Sequence, residues 1–245
     1  MHLRRCQITL SYMPKETRWK EVDLSDHCSE KDLADMEAIG HMLGRSRREP
    51  FFKEHEASDH ALLIKQGHVM VVQGDPGRII DIRGKGAIVG EAGVLSGNPR
   101  SASIVALNNV RAVYLPKGPW LDFLRAHSDV LIAVSAAAYK RTERANAKRA
   151  ESELPIEQQL AIELTELVDY GVGERAAEDD EDSSRVPMSQ AEISSLLGER
   201  KLQSVKKAIG KLRDKGVIGT DRRLEVTIHN LSALRVIADG LEQVG

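Results

Sequence analysis

Between residues 50 and 115, short apolar clusters alternate with turn-forming residues, and this rhythm constrains the fold more than any other feature. The turns contain Gly, Asn and Pro, which favour sharp changes of chain direction. Short apolar runs with turns about every 8 to 12 residues are typical of antiparallel strands in a barrel or sandwich. We therefore predict a jelly-roll-like antiparallel β-roll with strands at residues 61–64, 69–72, 79–82, 87–89, 102–107 and 110–114.

The segments on either side of the β-roll have helical patterns. Upstream, the helical spacing of Leu33, Met36, Ile39 and Leu43 predicts a short helix over about residues 29–42, which begins at a capping-box pair of Ser29 and Asp32. Downstream, residues 120–150 contain neither Gly nor Pro, which predicts a long helix. We interpret this helix as a dimerisation helix because its seam of mostly small residues permits close approach, the alternative being a surface helix packed on the β-roll. The seam consists of Leu131, Val134, Ala138 and Ala145.

A further helix is predicted to begin after Pro155 and to end at Gly171. Residues 171–187 are rich in Asp and Glu and have almost no apolar residues, which predicts an exposed acidic loop. This loop separates the helix from the last part of the chain.

The last part of the chain has the element order of a winged helix-turn-helix. The capping box of Ser189 and Glu192 opens a short helix, and a second helix covers residues 201–215. Two short strands follow at residues 217–219 and 224–228. Helix, tight turn, helix and β-ribbon is the layout of this DNA-binding motif.

Basic charge is concentrated in this region although the whole chain has a formal net charge of only −2. Residues 183–223 carry ten Lys and Arg against four Asp and Glu, a local charge of +6. A basic second helix of a helix-turn-helix can enter the major groove of DNA while the wing reaches neighbouring phosphates. The alternative interpretation of these residues is a charged face that is only solvated. The predicted DNA-binding residues are Ser189, Gln190, Arg200, Lys201, Gln203, Ser204, Lys206, Lys207, Lys211, Arg222 and Arg223.

A second candidate site lies at residues 89–102, between two predicted strands. Its glycines let backbone N–H groups approach an anion, and Arg100 can clamp a phosphate. A carboxylate such as Glu91 is favourable beside a phosphate when it accepts a hydrogen bond from a ligand hydroxyl, for example on a ribose. The pattern therefore favours a phosphate joined to a ribose, with a Glu91–Arg100 ion pair at the barrel rim as the alternative.

The stretch from Gly90-Glu91 to Pro99-Arg100-Ser101-Ala102 resembles the phosphate-binding cassette of cyclic-nucleotide-binding domains. Together with the long helix and the winged helix, the chain resembles the Crp/Fnr superfamily of bacterial transcription regulators over about residues 32–239. The resemblance implies a cytoplasmic homodimer that binds cAMP or another cyclic nucleotide, double-stranded DNA and RNA polymerase. It also implies that the ligand controls DNA binding allosterically.

The resemblance assigns roles by position. Glu91 takes the ribose hydroxyl, Arg100 and Ser101 take the cyclic phosphate, and Arg141 on the long helix lies near the phosphate. Where cAMP-responsive members offer Thr-Ser to the adenine, this chain has Ala145-Asn146. The implied ligand set is Val89, Gly90, Glu91, Ala92, Arg100, Ser101, Arg141 and Asn146.

Two other departures from the family pattern concern the target and the barrel edge. The family's recognition helix begins Ser-Arg-Glu-Thr-Val after the turn glycine, whereas residues 198–205 are one residue longer and lack the Arg-Glu pair. The DNA sequence therefore does not follow from the family. His55 and Glu56 replace a Gly-rich turn, which predicts a reshaped edge of the barrel.

Composition and motifs exclude several other classes. No apolar run reaches the about 18 to 20 uncharged residues of a membrane span, and we predict no membrane partner. Two cysteines, Cys6 and Cys28, are too few for an iron–sulfur cluster or a Cys-rich zinc site. His27, His55 and His60 lack zinc-type spacing, and neither a Walker loop nor a Ser, His and Asp grouping is present. We predict no metal site and no enzymatic activity.

These patterns predict an α+β chain in four parts. An N-terminal extension covers residues 1–28, a β-roll sensor domain 29–118, a dimerisation helix 119–153 and a winged helix-turn-helix domain 154–245. Two alternative functions stay open. One is a Crp-like regulator that ignores cyclic mononucleotides and responds to another ligand or a partner protein, and the other is a cyclic-nucleotide-binding protein whose winged helix binds protein.

Overall fold

The computed structural model describes residues 28–175, 182–198, 202–221 and 225–241. The predicted N-terminal extension lies almost wholly outside these ranges, as does the centre of the acidic loop. Four predicted DNA-binding residues also lie outside them, namely Arg200, Lys201, Arg222 and Arg223.

The β-roll consists of two four-stranded antiparallel sheets whose inner residues form a shared core. The sheet orders are β1-β8-β3-β6 and β2-β7-β4-β5. The six predicted strands are confirmed, each within two residues of its predicted ends. The strands are β1 (His41–Arg45), β2 (Pro50–Phe52), β3 (His60–Gln66), β4 (Val69–Gln73), β5 (Arg78–Arg83), β6 (Ile88–Val89), β7 (Ser103–Ala106) and β8 (Val110–Pro116).

The leading helix is shorter than predicted because its end belongs to a strand. Helix α1 (Glu30–Ala38) has the predicted capping box, in which Ser29 accepts from Asp32 N. Met42 and Leu43, predicted as helical, lie in β1 opposite Val113 and Ala112 of β8. Backbone pairing at the open edge of β8 therefore overrides the helical spacing of these apolar residues.

The long helical segment after β8 is divided into two helices, not one. Helix α3 (Lys117–Ala126) ends at His127, which has φ −121° and ψ 80°, and α4 (Ser128–Glu151) follows directly. The His127 ring stacks on Phe123 at 4.1 Å, and its Nδ1 lies 2.8 Å from the Asp32 carboxylate. A tertiary contact with the start of α1 thus accompanies the break in a sequence without a helix breaker.

One face of α4 packs on its own β-roll, and this splits the predicted seam. Val134 is buried in a core with Trp120 and Val113, whereas Leu131, Ala138 and Ala145 are exposed. Large apolar side chains remain on the outer face, with Ile132 64% exposed and Tyr139 66% exposed. The predicted seam was therefore wrong at Val134. The exposed face of α4 is centred on Ile132 and Tyr139, one residue after the predicted seam positions Leu131 and Ala138.

The C-terminal part is a winged helix with the predicted element order. Ser189 caps its helix-turn-helix unit through a box with Glu192, as predicted. Its sheet has the order β11-β12-β10-β9. The elements are α5 (Ile156–Asp169), β9 (Glu174–Arg175), β10 (Ser184–Ser189), α6 (Gln190–Leu196), α7 (Leu202–Asp214), β11 (Ile218–Thr220), β12 (Glu225–Ile228) and α8 (Leu231–Ala238).

The predicted acidic loop is wrong at both of its ends. Residues 184–189 form β10, where Val186 and Met188 are fully buried, and β9 pairs with this strand. Residues 176–181, which hold the densest run of acidic residues, lie outside the described ranges. Val186 lies inside the predicted loop, and its pairing with Val226 of β12 places a strand where the composition indicated a loop.

The winged helix packs directly on the β-roll of the same chain. A continuous apolar core joins Met70, Ile79 and Ile82 of the β-roll to α5, α6 and α7. Hydrogen bonds cross the junction from Ile79 N to Ser195 Oγ at 2.8 Å and from Gly84 N to Tyr170 Oη at 2.7 Å. Shared apolar burial therefore sets the position of the winged helix.

Two arginines in the turn between β1 and β2 add ion pairs to this junction. Arg47 pairs with Glu225, which is 3% exposed, and donates to Pro187 O at 2.9 Å. Arg48 pairs with Glu192 at 2.6 Å, on the carboxylate that caps α6. Both ion pairs join the β-roll to the helix-turn-helix unit.

Among the helices of the described ranges, none is long and apolar enough to cross a membrane.

Candidate functional site

The segment at residues 89–102 forms a tight turn, one short helix and a return to the sheet. Helix α2 (Glu91–Ser96) begins after Gly90, whose φ is +78°. A Cβ atom at Gly90 would come within 2.6 Å of Arg100 Nη1. Glycine is therefore required here both for its positive φ and for the close approach of Arg100.

A cavity of about 60 Å³ lies between this segment and the β2-β7-β4-β5 sheet and opens to solvent. Apolar side chains of the sheet form one wall, among them Phe52, Val71 and Ile104. The other wall is polar. The described lining residues with polar side chains are Arg83, Glu91, Arg100 and Ser101.

Glu91 is held by a cation from the long helix. The residue is 5% exposed, and its carboxylate pairs with Arg141 of α4. Arg141 also donates from Nη2 to Ile88 O at 3.1 Å. The ion-pair partner of Glu91 is thus Arg141, and the alternative of a Glu91–Arg100 pair at the rim is wrong.

The Arg100 guanidinium is buried against the cassette backbone. It donates to Gly90 O at 2.9 Å and to His60 O at 2.7 Å, and its Cζ atom lies 4.0 Å from the centroid of the Phe52 ring. Burial lowers the pKa of Arg100 from its ordinary value. In this arrangement the backbone of the cassette orients the guanidinium at the cavity wall.

Two buried donors near the cavity have no partner within the described residues. They are the Nε–H groups of Arg100 and Arg141. A buried N–H without an acceptor is costly, about 1 to 3 kcal/mol. An anion bound at the cassette is the kind of group that supplies such acceptors.

Not all predicted ligand residues come together at the cavity. Ala92, Gly90, Glu91, Arg100 and Ser101 line it, and Arg141 reaches it through Glu91. Val89 is fully buried in β6, where it faces the core, and Asn146 and Ala145 are exposed on α4 away from the lining residues. These two exposed positions are therefore not part of the cavity in the single chain.

Sequence reasoning missed Arg83 as a cavity residue. Its Nε lies 3.2 Å from the Asp81 carboxylate, which also accepts from Arg144 of α4 at 3.0 Å. Burial alone raises the pKa of Asp81, but the two guanidiniums lower it overall, so the carboxylate stays ionised. The sequence signal that could have indicated Arg83 was the pair of charged residues Asp81 and Arg83 on a predicted strand whose other residues are apolar.

His60 supports Arg100 from behind. Its ring stacks on Tyr114 at 4.3 Å, and its Nδ1 lies 2.6 Å from the Asp59 carboxylate. Burial lowers the pKa of His60, although the hydrogen bond with Asp59 opposes this shift.

His55 is an exposed turn residue with φ +69°, a conformation usual for the glycine that the family has there. His55 therefore adopts a glycine-like turn conformation, and the reshaping of this edge stays a prediction.

The predicted DNA-reading face is exposed along α7. Val205, Ile209 and Leu212 are buried, and the opposite side is open to solvent. Lys211 differs, since its Nζ lies 2.9 Å from Glu157 of α5. Ser189 and Gln190 stand at the start of α6. The described exposed residues of α7 are Leu202, Gln203, Ser204, Lys206, Lys207, Arg213 and Asp214.

Within the described ranges, no group of three or more His, Cys, Asp or Glu side chains has an arrangement that holds a metal ion. Cys28 is a free thiol, and burial raises its pKa. His27 lies outside the described residues.

A β-roll with this cassette, followed by a long helix and a winged helix, is the architecture of a transcription regulator of the helix-turn-helix class. The cyclic nucleotide-binding domain family matches residues 46–127. The Crp-like helix-turn-helix domain family matches residues 158–237. The chain belongs to the Crp/Fnr superfamily of transcription regulators.

Solved structures share this fold at low sequence identity. The c-di-GMP responsive global regulator CLP of Xanthomonas campestris is 16% identical, over 82% of this chain and 100% of that chain, with a TM-score of 0.68. A CRP-family transcriptional regulator of Thermus thermophilus is 24% identical, over 80% and 96%, with a TM-score of 0.66. FixK2 of Bradyrhizobium japonicum is 16% identical, over 81% and 97%, with a TM-score of 0.63. Among curated protein sequences, none is significantly similar to this chain.

Proposed function

We propose that the chain is a homodimeric transcription regulator whose β-roll binds a cyclic nucleotide and thereby controls DNA binding. The observation that carries the ligand half is the pair of buried Nε–H donors on Arg100 and Arg141, which have no acceptor within the described residues. A cyclic phosphate supplies acceptors for such donors, and Glu91 beside them accepts from a ribose hydroxyl. A cytoplasmic location and contacts with RNA polymerase belong to the same proposal.

Titration calorimetry with cAMP and cGMP tests the ligand half. We expect Arg100→Gln to weaken binding about 10- to 100-fold, since a hydrogen bond to a charged group contributes about 1.5 to 3 kcal/mol. Arg111→Gln, an exposed change on β8, is the matched control and retains wild-type affinity. Circular dichroism verifies that each variant is folded. Wild-type protein that gives no heat with any cyclic nucleotide contradicts this half of the proposal.

The outer face of α4 supports the homodimer. Ile132, Tyr139 and Asn146 recur every seven residues, and the first two are large apolar side chains left exposed in the single chain. A repeat of this kind is buried when two parallel helices pair. In the proposed dimer, Asn146 of each helix lies at the pairing face.

Sedimentation velocity tests the pairing. Ile132→Glu places a charge on this face, and we expect it to shift the protein from dimer to monomer. Lys140→Glu is the matched control because Lys140 lies on α4 outside the seven-residue repeat, beside the side that packs on the β-roll. A dimer that survives Ile132→Glu unchanged contradicts pairing through α4.

The exposed basic side of α7 supports DNA as the macromolecular partner. Lys206 and Lys207 project away from the buried residues of the helix, as phosphate contacts require. Binding of a duplex is expected to fall with salt, and removing one lysine lowers the slope of log affinity against log salt by about 1. Lys206→Ala and Lys207→Ala are compared with Lys85→Ala, an exposed lysine of the β-roll. A duplex affinity that does not change with salt concentration contradicts phosphate contacts by these lysines and favours a protein partner instead.

A second candidate is a regulator that responds to a ligand other than a cyclic mononucleotide. It is favoured by Ala145 and Asn146, which replace the hydroxyl pair of cAMP-responsive members. Selection of genomic fragments by purified protein, with and without cyclic nucleotides, separates the two candidates. Nucleotide-independent selection of one operator supports the second.

A further inference from the structure

We propose that Asn146 sets the register and the parallel orientation of two paired α4 helices, through a hydrogen bond between the Asn146 amides of the two copies. This inference rests on the proposed homodimer and deepens it. It also gives position 146 a role other than the base contact that the family resemblance implied for it.

The two sides of α4 have different surroundings. Toward the β-roll, the apolar residues at positions 130, 133 and 134 are buried in a shared core. On the opposite side, three exposed residues recur every seven positions, namely Ile132, Tyr139 and Asn146. Seven residues are about two helical turns, so these side chains form one line along the helix. This pairing line is apolar in character at its first two positions and fully polar at the third.

The hydroxyl residues beside the pairing line form hydrogen bonds within their own helix. Ser135 Oγ donates to Leu131 O at 2.8 Å, and Thr142 Oγ1 donates to Ala138 O at 3.3 Å. A hydroxyl bonded in this way can be buried against a second helix without a further partner. The Asn146 amide differs, since it forms no hydrogen bond to the described part of its own chain.

A second copy of the same residue is the partner that fits this amide. A carboxamide has both an acceptor oxygen and N–H donors, so two of them satisfy each other. In a two-fold symmetric parallel pair, equivalent positions of the seven-residue repeat face each other. An antiparallel pair centred on Tyr139 places Asn146 against Ile132, and a slip of seven residues places it against Tyr139. Either arrangement buries an amide without its partner and is disfavoured about 5- to 150-fold.

The positions that flank the pairing line leave the orientation to this amide. In coiled coils, charged residues at the flanking positions set the orientation of the partner. Between residues 136 and 145 of this helix, the flanking residues are Ala136, Ala138, Glu143 and Ala145. One carboxylate without an opposite charge among them forms no attractive pair across the two helices. Parallel pairing in register places both winged helices at one end of the dimer, as reading of two successive major grooves requires.

Distance measurements between spin labels on the full-length protein test the inference. The label is attached at Arg125→Cys, an exposed site just before α4, and Cys6→Ser and Cys28→Ser make it the single label of each chain. In a parallel pair in register, both labels lie at the same end and give one narrow distance distribution. Because α4 has 24 residues, an antiparallel pair adds a separation of about 35 Å along the axis, and a seven-residue slip adds about 10 Å.

We expect one narrow distribution when Asn146 is present and an added, longer distribution in Asn146→Val. The valine variant still pairs at least as tightly, since an apolar residue at this position stabilises the pair but does not specify its register. Lys140→Val is the matched control because it lies on α4 outside the pairing line, and it keeps the single distribution. Asn146→Ala also lacks the amide and favours the helix, so it guards against loss of folding.

Calorimetry with cAMP and cGMP on the same variants separates pairing from base contact. An affinity that falls in Asn146→Val while the distance distribution stays single assigns the amide to the ligand, which overturns the inference and leaves the proposed function intact. A single short distance retained in both Asn146 variants, or the antiparallel distance in the protein with Asn146, also overturns it. A protein that is monomeric with Asn146 present overturns both the inference and the proposed homodimer.

Discussion

At the scale of single residues, buried polar groups are placed by specific partners. Arg100 is 2% exposed and is oriented by two backbone carbonyls and the face of Phe52. Its position in the chain, in a Gly-rich segment after a strand, indicated a phosphate site. The sequence could not indicate that Glu91 pairs with Arg141, which lies fifty residues after it, because that contact depends on how α4 lies across the β-roll.

His68 gives a prediction about pH at the junction of the two domains. Its ring lies 5.4 Å from that of Tyr170, and burial lowers its pKa although a hydrogen bond to the Tyr170 carbonyl opposes the shift. The folded state therefore binds this proton less readily than the unfolded state, whose histidine pKa is about 6.5. The contribution of His68 to the free energy of unfolding is therefore fully present above that value and is lost as the pH falls below it.

Urea denaturation between pH 7.5 and about pH 5.5 measures this effect across the reference histidine pKa. We expect the free energy of unfolding to fall less steeply in His68→Gln than in wild type. His55→Gln, in an exposed turn, is the matched control. Equal slopes in wild type and His68→Gln contradict the assignment.

At the scale of elements, local signals and tertiary contacts compete. Capping boxes at α1 and α6, and turn residues between the strands, located most elements because these signals act over three or four residues. The break at His127 and the strand β10 were missed because each is accompanied by contacts with distant segments. Strand β2 and helix α8 were also not predicted, since each is too short to show a clear period.

Helix α7 provides a prediction about backbone propensity. Gly210 lies inside this helix, and nothing lies within 4 Å of the position that a Cβ atom would take. Gly210→Ala is expected to stabilise the protein by about 0.5 to 1 kcal/mol, since glycine has a high conformational entropy when unfolded.

Gly90→Ala is the opposed comparison for this measurement. Gly90 has φ +78°, and its Cβ atom would meet Arg100. This change is expected to destabilise the protein by about 1 to 3 kcal/mol. Urea denaturation of both variants is the measurement, and a destabilising Gly210→Ala would show that α7 needs glycine for another reason.

At the scale of the whole molecule, the winged helix and the β-roll share one apolar core and a set of ion pairs. Arg47 and Arg48 join the β1–β2 turn to Glu225 and Glu192, which belong to the wing and to α6. Glu225 also pairs with Arg185 of β10. Any ligand that reorients the winged helix has to alter these contacts or move the β-roll with it.

The double variant Arg47→Ala, Arg48→Ala tests the contribution of these pairs. Because Glu225 is buried and keeps only Arg185 among these partners, we expect destabilisation of about 1 to 3 kcal/mol. We also expect faster hydrogen exchange in β10 and α6. Arg125→Ala is the control, since its pair with Asp122 is 71% exposed on the arginine side and contributes less than about 1 kcal/mol. Unchanged exchange in β10 and α6 would mean that the apolar core alone holds the junction.

The sequence by itself determined six strands of the β-roll, the layout of the helix-turn-helix unit, the cassette at residues 89–102 and the basic side of α7. These features arise from turn chemistry, apolar periodicity and charge along neighbouring residues. Only the tertiary structure decided the pairing of Arg141 with Glu91 and of Arg144 with Asp81, the exposed face of α4 and the docking of the winged helix. Each of these joins residues fifty or more positions apart, or depends on which helix face a distant sheet covers, and local patterns carry no information about such packing.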